Sequence, residues 1–98
     1  MLSFLPKTPN EIQLLLKDKF KIQRKSLKIT QQELANKSGV SLGSIKRFEQ
    51  SGQISLESLL KIAFVLECLE DFERVCEREE EERFGSIEEI LKLENVKK

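Results

Sequence analysis

Apolar residues recur along the first two thirds of the chain at helical spacing, and each run is preceded by a helix-start signal. Between residues 9 and about 26, Ile12, Leu16 and Phe20 fall on one face, while Lys17, Lys21, Arg24 and Lys25 can line a different, basic one. Thr8-Pro9-Asn10-Glu11 opens this helix with an N-cap threonine, proline at the first helical position and a glutamate that completes a capping box. Thr30-Gln31-Gln32-Glu33 repeats the box and predicts a second helix, with Leu34 and Ala35 inward and Gly39 able to take the left-handed conformation that ends it. Val40 plugs the turn. Ser41 caps a third helix over 41–50, in which Ile45 and Phe48 sit on the buried side and Leu42, Gly43, Lys46, Arg47 and Gln50 are left for the other faces. After a loop at Ser51-Gly52-Gln53, Ser55 caps a fourth helix whose Leu56, Leu59, Leu60, Ala63 and Leu66 supply core contacts.

The last third reads differently. From Leu69 to Phe84 the pattern places Leu69, Phe72, Val75 or Cys76, and Phe84 on an apolar stripe amid glutamates, which predicts a fifth helix frayed near its acidic run. Gly85 interrupts it, and Ser86-Ile87-Glu88-Glu89 is a further capping box, opening a short helix with Ile87, Ile90 and Leu91 on one side. A piece that short is unstable alone, so it docks on its own domain, docks on a second chain or stays loose. The run Glu79 to Glu82 is the only low-complexity element. Its ordinary reading is a solvated face; a sharper one is mimicry of phosphate or repulsion of DNA from the wrong surface.

Ninety-eight residues fit one domain with a single small core, and 39% hydrophobic with 35% charged residues suits an all-α fold. The divisions expected are an N-terminal arm over 1–8, the main domain over 9–68, and an acidic helical segment over 69–98 that completes the domain or dimerises. The net charge of zero conceals an asymmetry: residues 1–66 carry eleven Lys/Arg against five Asp/Glu, and residues 67–98 carry six against twelve. A basic face toward nucleic acid is the functional reading, and solvated helix surfaces are the plain one. The chain has no His, so no metal site, cofactor or general acid-base centre is signalled. Cys68 and Cys76, if on one continuous helix, would lie about 12 Å apart along its axis, too far for a disulfide, and read as reduced thiols. No stretch approaches membrane-spanning length, and the expected compartment is the cytoplasm.

The segment from about Leu16 to Glu67 resembles the Cro/cI-like (XRE) helix-turn-helix family. The resemblance rests on Arg24, Leu27, Ile29-Thr30-Gln31, Glu33-Leu34-Ala35, Gly39-Val40-Ser41, Ile45, Phe48-Glu49, Leu56, Leu59 and Ile62-Ala63. It implies a five-helix, lambda-repressor-like domain that binds double-stranded DNA as a homodimer, with helix three in the major groove. By position, Gln31 would bond a phosphate, Leu42, Gly43, Lys46 and Arg47 would face the groove, Gln50 would reach a flanking phosphate, and Ser41 or Ser44 would assist. Lys17 and Lys21 are candidate phosphate contacts on the first helix. Arg24 and Glu49 match a pair that bridges helices one and three in some members, with an exposed phosphate contact as the rival role for Arg24. The run from Ser41 to Ala63 further resembles HipB-like antitoxins that accompany HipA-family kinases.

Where relatives often carry polar readers at the first two positions of helix three, this chain has Leu42 and Gly43. Leucine cannot hydrogen-bond a base but can touch a thymine methyl or pack on the turn, and glycine permits close backbone approach. Direct reading then falls on Arg47 and Lys46, or on DNA shape. The function expected is a DNA-binding repressor, of the type found as the antitoxin component of a toxin operon. The alternative is a module of the same fold that chiefly binds a partner such as a HipA-like kinase. No nucleophile–base pair or phosphate loop points to an enzyme.

Overall fold

The computed structural model describes residues 7–77. In that span the chain forms five helices and no strand: α1 (Pro9–Ser26), α2 (Gln31–Ser38), α3 (Leu42–Ser51), α4 (Leu56–Val65) and α5 (Glu70–Glu73). The all-helical architecture is that of a lambda-repressor-like domain. The acidic run Glu79–Glu82, Phe84 and the final stripe Ile87, Ile90 and Leu91 lie outside the described residues.

Local chemistry explains the helix boundaries. At Thr8 and at Thr30 the threonine hydroxyl accepts from the N–H three residues on, and the glutamate at that position accepts from the threonine's own N–H. Each box satisfies two backbone donors that a helix start otherwise leaves without partners. Ser41 and Ser55 cap α3 and α4 through their hydroxyls. Gly39 and Gly52 end α2 and α3 in the left-handed region, at φ 79° and 82°. Helices α1 and α4 close in the same conformation without glycine, at Lys28 (φ 59°) and Glu67 (φ 63°). The next residue's N–H bonds back to the helix in both cases, from Ile29 to Arg24 at 3.2 Å and from Cys68 to Ala63 at 3.0 Å.

Helix α3 packs on α1 and α2, and α4 packs on α2. Their inward faces form one core of Phe20, Leu34, Ala35, Val40, Ile45, Phe48, Leu59, Ile62, Ala63 and Leu66. The rings of Phe20 and Phe48 meet edge-on with centroids 5.5 Å apart, fixing α1 against α3. Two glutamines stitch distant segments: Gln13 Nε2 donates to the Gly52 carbonyl at 3.2 Å, and Gln23 Nε2 to the Leu66 carbonyl at 2.7 Å.

Several sequence expectations are corrected. Leu56 is 67% exposed, whereas Ile62 is buried, so the inward stripe of α4 is Leu59, Ile62, Ala63 and Leu66. Leu56 occupies the first helical position, where side chains lean back past the helix end and away from the packed turns. Ile12 is exposed, because the first turns of α1 stand clear of the core. Ser51 belongs to α3 and not to the following loop. The fifth helix does not run on from Leu69: α5 is four residues long, has no side-chain N-cap, and gives way to turns that reach a left-handed Cys76 at φ 71°. Val75 is consequently exposed and Phe72 half-buried, with its ring 6.2 Å from that of Phe20. Cys68 and Cys76 are free thiols and do not share one helix. Burial and the Asp71 charge raise the Cys68 pKa.

Candidate nucleic-acid interface

Helix α3 is fixed at both ends and along one side. Ser41 Oγ accepts the Ser44 N–H at 3.1 Å and donates to Ser44 Oγ at 2.9 Å, so the cap also orients the second serine. Ile45 and Phe48 sink into the core. At the far end Gly52 closes the helix and receives the Gln13 amide from α1.

A buried ion pair supplies the third restraint. Arg24 on α1 reaches Glu49 on α3 with both prongs of its guanidinium, Nε to Oε2 at 2.7 Å and Nη2 to Oε1 at 3.0 Å. Its remaining arm, Nη1, donates to the Ile29 carbonyl at 2.8 Å, and Gln31 Nε2 adds a bond to Glu49 Oε1 at 2.8 Å. Arg24 is 7% and Glu49 8% exposed, and fork-to-carboxylate geometry of this kind is the strong form of the interaction. Burial pushes the Glu49 carboxyl up, but hydrogen bonds from Arg24 and Gln31, with the charges of Arg24 and Lys21, outweigh it and hold the group below the usual carboxylate range. Arg24 is thus committed to structure and leaves the basic face of α1 to its neighbours. The same network ties the starts of α2 and the body of α3 to α1.

What α3 turns outward is polar and cationic. Gly43, Ser44, Lys46, Arg47 and Gln50 are exposed, and the side chains of Lys46, Arg47 and Gln50 make no hydrogen bond or ion pair with the described residues. Leu42 is half-buried and packs on the core, so part of its side chain faces inward. A Cβ added at Gly43 would meet nothing within 4 Å, so the fold itself does not require glycine there. Arg47 and Ser44 also line a cleft of about 260 Å³ with Gln53, Ile54, Ser55 and Ser58 at the start of α4.

The other sequence-predicted contacts are placed unequally. Gln31, first residue of α2, is half-buried and already bonded to Glu49 beside α3. Lys21 is exposed on α1, and its charge is among those that hold the Glu49 carboxyl low. Lys17 is half-buried, and its amine is held 3.0 Å from Asp18. Gln13, Gln53 and Ser58 were not singled out by sequence reasoning. No sequence signal marks them, because their proximity to α1 or α3 arises only on folding.

A family model described as helix-turn-helix, of the XRE type, matches residues 20–71, more than half of the chain. The chain belongs to the helix-turn-helix family. The matched region begins at the core residue Phe20 and ends within α5, so it contains the ion pair, the turn at Gly39–Val40 and the whole of α3. Helix-turn-helix domains of this family bind DNA. Comparison with curated proteins and with solved structures gave no match. No helix among the described residues is long and apolar enough to cross a membrane, and no group of His, Cys, Asp or Glu among them is arranged to hold a metal ion.

Proposed function

We propose that this helix-turn-helix protein is a sequence-specific transcriptional regulator, a cytoplasmic repressor that seats α3 in the major groove of an operator. The observation that carries the reading is the division of α3 into two faces. One face is immobilised by the core, the ion pair and the caps, and the other presents Lys46, Arg47 and Gln50 with no partner among the described residues. A helix already held rigid adds no backbone ordering cost when its uncommitted donors contact bases. Two copies on half-sites about one helical turn apart, 34–36 Å, complete the arrangement.

Within this reading Arg47 is the principal base reader, Lys46 and Lys21 serve phosphates, and Gln31 adds a phosphate contact from the start of α2. Arg47→Ala is expected to cost about 1–3 kcal/mol on the operator and much less on random DNA. Lys21→Ala should weaken both alike and flatten the salt dependence by about one phosphate's worth. Lys17→Ala should do less than Lys21→Ala, because Asp18 already holds its charge. Fluorescence anisotropy on operator and scrambled duplexes at several salt concentrations checks all three, and equal losses for Arg47→Ala on both duplexes would remove its assigned role.

Gly43→Ala separates folding from binding. The added methyl enters open space on a helix, so the fold should gain up to about 1 kcal/mol. Operator affinity should fall if the α3 backbone approaches the bases closely, as glycine there permits. Thermal melting and anisotropy on one preparation read both effects, and an unchanged affinity would assign Gly43 no part in recognition.

A second reading, the antitoxin-type module that also holds a HipA-like kinase, is favoured by the apolar surface of α4. Phe64 is 71% exposed and Leu56 67%, beside Leu60 and Leu69. Loss of a partner on Phe64→Asp, with operator binding kept, would support it.

A further inference from the structure

Helix α1 and the segment from Cys68 to Val75 enclose an apolar groove of about 510 Å³ at the edge of the core. Ile12, Leu16 and Phe20 form one wall, and Cys68, Phe72 and Val75 the other. Lys19, Gln23 and Asp71 also border it. Val75 is 62% and Ile12 39% exposed, a large apolar surface for so small a domain.

We infer that the occupant of this groove is the chain's own C-terminal segment, with Ile87, Ile90 and Leu91 as the seated side chains. Two observations select it. The first is position: the described chain ends at Glu77, two residues beyond the groove wall at Val75, and twenty-one residues follow. A segment tethered that close acts at an effective concentration in the millimolar range, which favours it over any free partner. The second is fit. The groove follows α1 from Ile12 to Gln23, about 16 Å of helix, and the ten residues from Glu77 to Ile87 span up to about 33 Å extended, so the stripe reaches every point along it. Ile87, Ile90 and Leu91 stand at i, i+3 and i+4, the spacing that makes one apolar face, and a capping box precedes them. With the stripe seated there, the groove becomes core.

The proposal is independent of what α3 binds, and the full-length protein tests it. With p-benzoylphenylalanine in place of Ile90, ultraviolet irradiation should give a cross-link within the monomer, mapped by mass spectrometry to residues 12–23 or 68–75. A cross-link confined to a covalent dimer would show that a second copy fills the groove, and one confined to other parts of the monomer would show that the segment sits elsewhere; either overturns the inference. Cys68 provides a second reading. In a Cys76→Ser background, Ile87→Asp with Ile90→Asp should raise the alkylation rate of Cys68 by about fivefold or more, as local opening of a closed site does. A folded double variant, judged by circular dichroism, with an unchanged rate would also overturn it.

Discussion

Glu49→Gln is expected to lose about 3–5 kcal/mol of folding stability, because it leaves the Arg24 charge buried without its counter-charge. Glutamine conserves volume, so the loss reports charge and hydrogen bonding and not a cavity. Two of the guanidinium's three arms end on Glu49, and Arg24 is too buried to recover them from water. Urea unfolding gives the change directly, as a shift of midpoint at unchanged slope. The pair Arg24→Met with Glu49→Leu should recover most of the loss, since replacing both charges removes the desolvation cost along with the attraction. A double variant as unstable as Glu49→Gln would mean that the bonds to Ile29 and Gln31 matter more than the charges.

The same carboxylate sets part of the acid sensitivity. Its folded pKa lies below its unfolded value of about 4.3, so its contribution is complete above that pH and is lost as pH falls through the folded value. Glu11 and Glu33 are also held low, chiefly by the backbone N–H groups of Thr8 and Thr30, and titrate in the same direction. Wild type should therefore lose stability below about pH 4, and the gap between wild type and Glu49→Gln should narrow there.

Gly52→Ala is expected to cost about 2–5 kcal/mol, from a left-handed backbone of about 1–2 kcal/mol and a steric term of about 1–3 kcal/mol. At φ 82° the added Cβ would lie 2.9 Å from the Gln13 carbonyl oxygen and 3.2 Å from its carbon. Those are backbone atoms of α1, which cannot swing aside as a side-chain end would. Gly39→Ala is the control: its φ of 79° is nearly the same, but nothing lies within 4 Å, so only the backbone cost of about 1–2 kcal/mol applies. Thermal or urea unfolding of both should rank Gly52→Ala well below Gly39→Ala. Equal losses would show that α1 does not press on the end of α3.

These positions also show what the sequence could reveal. The starts of α1 to α4 were legible because Thr8, Thr30, Ser41 and Ser55 act within three residues of themselves, where spacing is a direct signal. Gly39 was legible as a stop for the same reason. The bonds from Gln13 to Gly52 and from Gln23 to Leu66 join residues 39 and 43 positions apart, and a glutamine on a helix carries no mark of a distant partner. Lys28 and Glu67 hold left-handed conformations that composition assigns to glycine, so the ends of α1 and α4 had no residue signal. On α4 the leucine spacing pointed to Leu56 as an inward residue, whereas packing against α2 buries Ile62 and leaves Leu56 exposed. Periodicity also overextended α5, since an apolar stripe does not report a missing N-cap or the turn at Cys76. For the candidate interface, residue order placed α3 and its outward side chains, while the engagement of Lys17 by Asp18 and of Gln31 by Glu49 became visible only in three dimensions.

Whether α3 reads an operator is decided by selection of bound fragments from a random DNA pool by the purified 98-residue chain, with the winner's affinity followed across a salt series. Regulation through α3 should enrich a palindrome with half-sites about 10 base pairs apart, with affinity falling steeply as salt rises. A folded sample that enriches no sequence would contradict it.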